Sequence, residues 1–208
     1  MARMSRIDAE MLPPGAGDEL RIAPRFTLML RAGKLIGRGQ FLCILRDVSE
    51  RGVKARLFHP LPPGKRFELE LGNGEHYPLD LVWQDGGQAG FRFANGPVDV
   101  ALLLDEAGPF RKRQIRLQLH LPVRIVVGGH KRIAMLRDIS QQGALIDTAA
   151  PLALGQQLRL EASGLPTLFA KVRWRQKAAH GLVFETIFRL DELARMAGEV
   201  QLAEPRPA

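Results

Sequence analysis

Two stretches of this chain repeat each other at one fixed offset and without a gap. Arg46 to Gly52 reads RDVSERG, Arg137 to Gly143 reads RDISQQG, and the shift of 91 residues between them also carries Arg25 onto Arg116, Gly64 onto Gly155, Trp83 onto Trp174, Gly90 onto Gly181 and Phe93 onto Phe184. Chance supplies isolated matches, not an ordered series at a single offset that takes in both tryptophans. The chain is a tandem duplication. A period this long exceeds that of stacked solenoid repeats, so each copy is expected to be a domain with its own core. A length of 208 residues accommodates two such domains.

Composition narrows the class. With 46% hydrophobic and 25% charged residues the chain is globular rather than disordered. A single cysteine, Cys43, excludes an internal disulfide and a multi-cysteine zinc site, and suits a reducing compartment. No apolar run approaches the ~20 residues that span a bilayer, and the first residues lack the apolar centre of a secretory signal. A cytoplasmic protein without a membrane span is expected.

Within each copy the pattern is that of short strands. FLCILRDVS and RIAMLRDIS run directly into the repeated motif, VKARLF and ALIDTA follow it, and alternating FELEL and LRLEA come after a glycine turn. LDLVWQ and FAKVRWRQ, then GFRF and GLVF, complete each set. Each copy ends in a helical stretch, VDVALLLDEA in the first and FRLDELARMAGEV in the second, the latter with Leu190, Leu193 and Met196 at helical spacing. The expectation is an all-β protein of two tandem small antiparallel β-barrels, each with a short C-terminal helix. The domains are expected at residues 20–106 and 110–198, with tails at 1–19 and 199–208, and the brief Gly108-Pro109 joint implies that they touch or keep a restricted angle. Trp83 and Trp174 lie in apolar strands and read as core anchors. Cys43, between Leu42 and Ile44, reads as a buried small hydrophobe.

The candidate chemistry lies in the repeated Asp-x-Ser-x-x-Gly. Asp and Ser side chains stabilise turns by accepting from backbone N–H groups, and Gly permits unusual φ or close approach. Twenty-two residues before each Asp stands an arginine, and in the first copy Arg21 and Arg25 form an Arg-x-x-x-Arg pair that Pro24 keeps extended. Two guanidinium groups so placed suit phosphate oxygens and the O6/N7 edge of guanine. No Gly-x-Ser-x-Gly elbow, phosphate-binding Gly-Lys-Ser/Thr loop or close His/Cys/carboxylate cluster occurs, so neither an enzyme nor a metal or cofactor site is expected.

Arg21-x-x-x-Arg25, Asp47-x-Ser49-x-x-Gly52, Trp83 and Gly90 to Phe93 together resemble a PilZ domain, and Arg116, Asp138-x-Ser140-x-x-Gly143, Trp174 and Gly181 to Phe184 resemble a second. The resemblance implies a small β-barrel with a C-terminal helix and, as ligand, bis-(3′,5′)-cyclic diguanylate. It assigns Arg21 and Arg25 to guanine edges and phosphates, Asp47 to guanine N–H donors or to orienting an arginine, Ser49 to a hydroxyl contact and Gly52 to the close approach of the turn. It also implies a receptor that passes the second-messenger level to a protein partner in motility, biofilm or polysaccharide control.

The second copy departs from this pattern. Lys112 stands where Arg21 does in the first, and lysine lacks the planar fork. Arg113, Arg116, Asp138, Ser140 and Gly143 are therefore expected to form a weaker second site. The competing class is a basic tandem barrel that binds nucleic acid or protein and not the dinucleotide. The net charge is +8, yet residues 1–104 hold 14 basic against 12 acidic side chains and residues 105–208 hold 16 against 10. With aromatics at only 6% and no helix-turn-helix, nucleic acid is not the expected partner.

Overall fold

A computed structural model of the chain describes residues 26–104 and 114–203. The first copy folds as β1 (Phe26–Ile36), β2 (Gln40–Ser49), β3 (Gly52–Leu57), β4 (Arg66–Leu71), β5 (His76–Asp85), β6 (Gln88–Phe93) and α1 (Val100–Leu104). The second repeats the series as β7 (Leu117–Val127), β8 (His130–Ile139), β9 (Gly143–Asp147), β10 (Gln157–Glu161), β11 (Leu168–Gln176), β12 (Ala179–Phe184) and α2 (Leu190–Ala203). Each copy is a closed antiparallel barrel, ordered β1-β2-β3-β6-β5-β4 and β7-β8-β9-β12-β11-β10 around its ring. Closure removes the unpaired edges that a six-stranded open sheet would leave.

The strands alternate as a barrel wall requires, apolar inward and polar outward. In β7, Leu117, Leu119, Leu121, Val123 and Ile125 are buried and the residues between them exposed. Its counterpart β1 closes the first barrel by pairing with both β2 and β4. Neither strand is among the ten read from the sequence. Pro122 sits inside β7 opposite Met135 of β8, at a point that β10 does not reach, so one flank of the strand is unpaired there, as suits a proline within a sheet.

The short α1 and the longer α2 fit the expected helices, although α2 runs to Ala203, so residues 199–203 are helix rather than tail. Arg189 N–H donates to Glu192 Oε2 at 2.9 Å, capping α2, and Asp191 accepts from Arg195 one turn on at 2.7 Å. Helix α2 also joins the barrels. Leu42 points outward from β2, is fully buried, and belongs to the core cluster of the second barrel with Leu193, Ala194 and Ala197. Beside it, Gln201 is held by Gln40: Gln40 N–H donates to Gln201 Oε1 at 2.8 Å and Gln201 Nε2 donates back to Gln40 O at 2.7 Å. Gln40 Oε1 accepts from Gln118 N–H at 2.8 Å, tying β2 to β7.

Candidate functional site

The two motif turns are built alike. Ser49 faces Gly52 across the β2–β3 hairpin, and its hydroxyl donates to Gly52 O at 3.4 Å. Ser140, which is buried, donates to Gly143 O from both its hydroxyl, at 3.2 Å, and its N–H, at 2.8 Å. Just before each Asp the register slips by one residue, at Arg46 and at Arg137. Such a bulge sends two successive side chains to the same side of the sheet, so each Asp joins the outer face of its barrel.

The glycines serve the neighbouring strand. Neither has a positive φ. A Cβ on Gly52 would lie 2.2 Å from Phe91 O, and one on Gly143 would lie 2.1 Å from Leu182 O. No side chain fits between the hairpin and the strand it crosses.

The tryptophans correct the sequence reading. They are not core anchors: Trp83 is 43% exposed and Trp174 45%. Each indole lies on the outer face over a glycine, so that a Cβ on Gly90 would meet Trp83 Nε1 at 2.1 Å and one on Gly181 would meet Trp174 Nε1 at 2.0 Å. The signal in the sequence was the Trp/Gly pair recurring in both copies, which an interior aromatic does not require. Cys43 is fully buried as expected, and burial pushes its thiol up to about 12.

Turn and tryptophan come together as a pocket in each barrel. In the first, Asp47, Ser49, Arg51, Gly52, Lys54 and Trp83 line a cavity of about 200 Å³. In the second, Arg116, Asp138, Ser140 and Trp174 line a cavity of about 870 Å³. Arg116, predicted from spacing alone, reaches Asp138, with its NH1 2.5 Å from Oδ1. The expected partners Arg21 and Arg25 of the first site and Arg113 of the second lie outside the described residues.

The duplicate pockets differ in their cations. Arg51 and Lys54 have Gln142 and Leu145 as counterparts in the second copy. The second cavity instead borrows from the first barrel, whose Lys34, Glu70 and Gly72 to Gly74 form part of its wall. Lys34 is buried, 2.6 Å from Glu70 and 3.5 Å from the carbonyl of Arg116. Among the described residues no group of His, Cys, Asp and Glu is placed to hold a metal ion. No helix there is long and apolar enough to cross a membrane.

Fold and pockets define a class: tandem six-stranded barrels that each carry an Asp-x-Ser-x-x-Gly turn beside an exposed tryptophan on the outer wall. The PilZ domain profile matches residues 19–106 and 110–196, and the chain belongs to the PilZ domain family. Among solved structures it is similar to the PlzA protein of Borreliella burgdorferi in complex with c-di-GMP, at 16% identity and a TM-score of 0.35, covering 81% of this chain and 87% of that one. It is also similar to the inhibitor of motility MotI/DgrA of Bacillus subtilis, at 13% identity and a TM-score of 0.35, covering 86% and 100%. A third is YcgR of Escherichia coli in complex with c-di-GMP, at 11% identity and a TM-score of 0.31, covering 84% and 83%. A search of curated proteins finds no match.

Proposed function

We propose that this PilZ protein is a non-enzymatic, cytoplasmic receptor for cyclic diguanylate, working without a cofactor and relaying the ligand's level to a protein partner. The observation that carries the reading is the recurrence, in both barrels, of the motif aspartate and serine with an exposed indole around one cavity. An indole face offers stacking to a purine, the aspartate an acceptor for guanine N–H groups, and arginines the forked donors that phosphates and guanine edges need.

The first barrel is the tighter site in this reading, through Arg21, Arg25, Asp47, Ser49 and Gly52. Arg51 and Lys54 support it by adding positive charge to the wall of that pocket. Arg113, Arg116, Asp138, Ser140 and Gly143 form the weaker one. Ligand contacts would order the arginine segment against the barrel, and the ordered surface would be what the partner reads.

Calorimetric titration of the full chain with cyclic diguanylate tests this. Arg25→Ala should remove the tight phase and Arg116→Ala should leave it. Loss of tight binding on Arg116→Ala alone overturns the assignment. Chromatography of the dinucleotide after incubation should return it unchanged.

A further inference from the structure

The duplication provides an internal control for every surface residue, and one strand stands out against it. Along β11 and into the turn that follows it the chain carries Phe169, Lys171, Arg173, Trp174, Arg175 and Lys177 where the first barrel has Pro78, Asp80, Val82, Trp83, Gln84 and Gly86. In the first barrel this face is self-neutralising. Asp80 stands opposite Arg92 across β5 and β6, and the two form an ion pair at 3.4 Å. In the second, both members have changed. Lys171 stands opposite Val183, which is 39% exposed, and Phe169 beside them is 53% exposed. Lys171 and Arg173 are exposed, and among the described residues neither enters a salt bridge.

Backbone strain marks the same hairpin. Lys177 adopts φ 52°, and its counterpart Gly86 has φ 53°. A left-handed conformation is nearly free for glycine and costly for lysine, so the turn keeps its cation against the local preference. Folding does not call for lysine there, since the sister barrel makes the same turn with glycine.

We propose that the outer face of β11 and β12 in the second barrel binds single-stranded nucleic acid. Lys171 and Arg173, two residues apart on the outer face, lie roughly 6.6 Å apart. Trp174 is brought onto the same face by the bulge that follows Val172, and the exposed Lys177 adds a cation at the turn, a basic face that can follow one phosphate backbone. Phe169 and Trp174 present ring faces between and beside those cations, and such rings are useful only to bases that are not already stacked in a duplex. Basic charge with interleaved aromatics on a small barrel is the physical arrangement that single-strand binding requires. This reverses the expectation drawn from the low aromatic content: few aromatics are present, but two of them are displayed on the basic face.

The test is fluorescence anisotropy of a labelled oligothymidylate of about twelve nucleotides, within the ~4–16 that one such barrel accommodates, added to the full chain without cyclic diguanylate. Binding should weaken steeply with salt. Lys171→Asp with Arg173→Val restores residues that the sister barrel already folds with, and should weaken binding at least tenfold. Lys177→Gly should raise Tm by relieving the left-handed lysine while weakening binding several-fold, a split that a purely structural lysine would not produce. Lys131→Ala with Arg132→Ala, on another strand, should change it little. In a Trp83→Phe background, where Trp174 is the remaining tryptophan, the oligonucleotide should quench its fluorescence. The proposal is overturned if the full chain fails to bind, if duplex DNA or anionic vesicles bind as tightly, or if the Lys131/Arg132 variant loses as much affinity as the β11 variant.

Discussion

A residue with no side chain decides the geometry of each motif turn. Because Gly143 leaves 2.1 Å between its absent Cβ and the carbonyl of Leu182, Gly143→Ala must push backbone from backbone, and overpacking of this kind costs about 1–3 kcal/mol. Urea unfolding should show that loss. Gly181→Ala also intrudes, yet what it meets is the indole of Trp174, a side chain at the surface that can swing away. Its stability should fall less, and the tryptophan emission should shift to the red as the ring leaves its seat. Cys43 is inert for another reason. With its thiol pushed up to about 12, almost none of it is thiolate at pH 8. A disulfide reagent should label the native chain negligibly and the urea-unfolded chain fully; rapid native labelling would mean that the first core opens.

At the scale of elements, the duplication was the legible part, because matching residues must occupy matching places and the offset needs no knowledge of the fold. Five strands per barrel announced themselves by alternation and by turns. The closing strands β1 and β7 did not, since Lys34 and Pro122 interrupt them, and only the ring shows why: Lys34 is buried against Glu70, and Pro122 lies where one flank is unpaired. The site was legible in its turn residues and in the spacing of Arg116 from Asp138. The tryptophans were misread because an apolar neighbourhood in sequence says nothing of which wall faces out once a bulge has intervened: the ladder slips between Leu81 and Trp83, and again between Val172 and Trp174. Helix α2 was visible as a helix but not as a joint. Leu42, its main support on the first barrel, corresponds to Ile133, which is 72% exposed on the second. Leu42→Ala should therefore cost about 2–5 kcal/mol, as for other buried leucines, and in calorimetry the intact chain should melt in one transition and the variant in two. A variant that melts as cooperatively as the wild type would place the joint elsewhere.

For the molecule as a whole, the joint between barrels contains a proton-sensitive residue. His59 follows β3 of the first barrel, its ring 4.8 Å from that of Phe41, and it fills the space over Gly198 of α2, where a Cβ would come within 2.5 Å of the imidazole. Its Nδ1 lies 2.7 Å from Pro60 O, while its buried Nε2 has no partner among the described residues. Burial holds the imidazole below its ordinary value of 6.5, the carbonyl of Pro60 opposing this only in part. Folding thus favours the neutral ring. Above pH ~6.5 both states are neutral and the contribution is complete; as pH falls below that value the unfolded chain takes up a proton that the folded chain refuses, and stability declines until the folded-state pKa is reached. The urea midpoint should accordingly drop between pH 7.5 and 5.5, and His59→Phe, which keeps a ring against Phe41 and α2, should flatten that part of the profile. Because the ring lies between one barrel and the helix of the other, acid should also loosen the joint before either core, exposing α2 to protease while the strands stay protected. An identical pH profile for the two proteins would show that the dependence comes from other groups, and that His59 only fills space between the barrels.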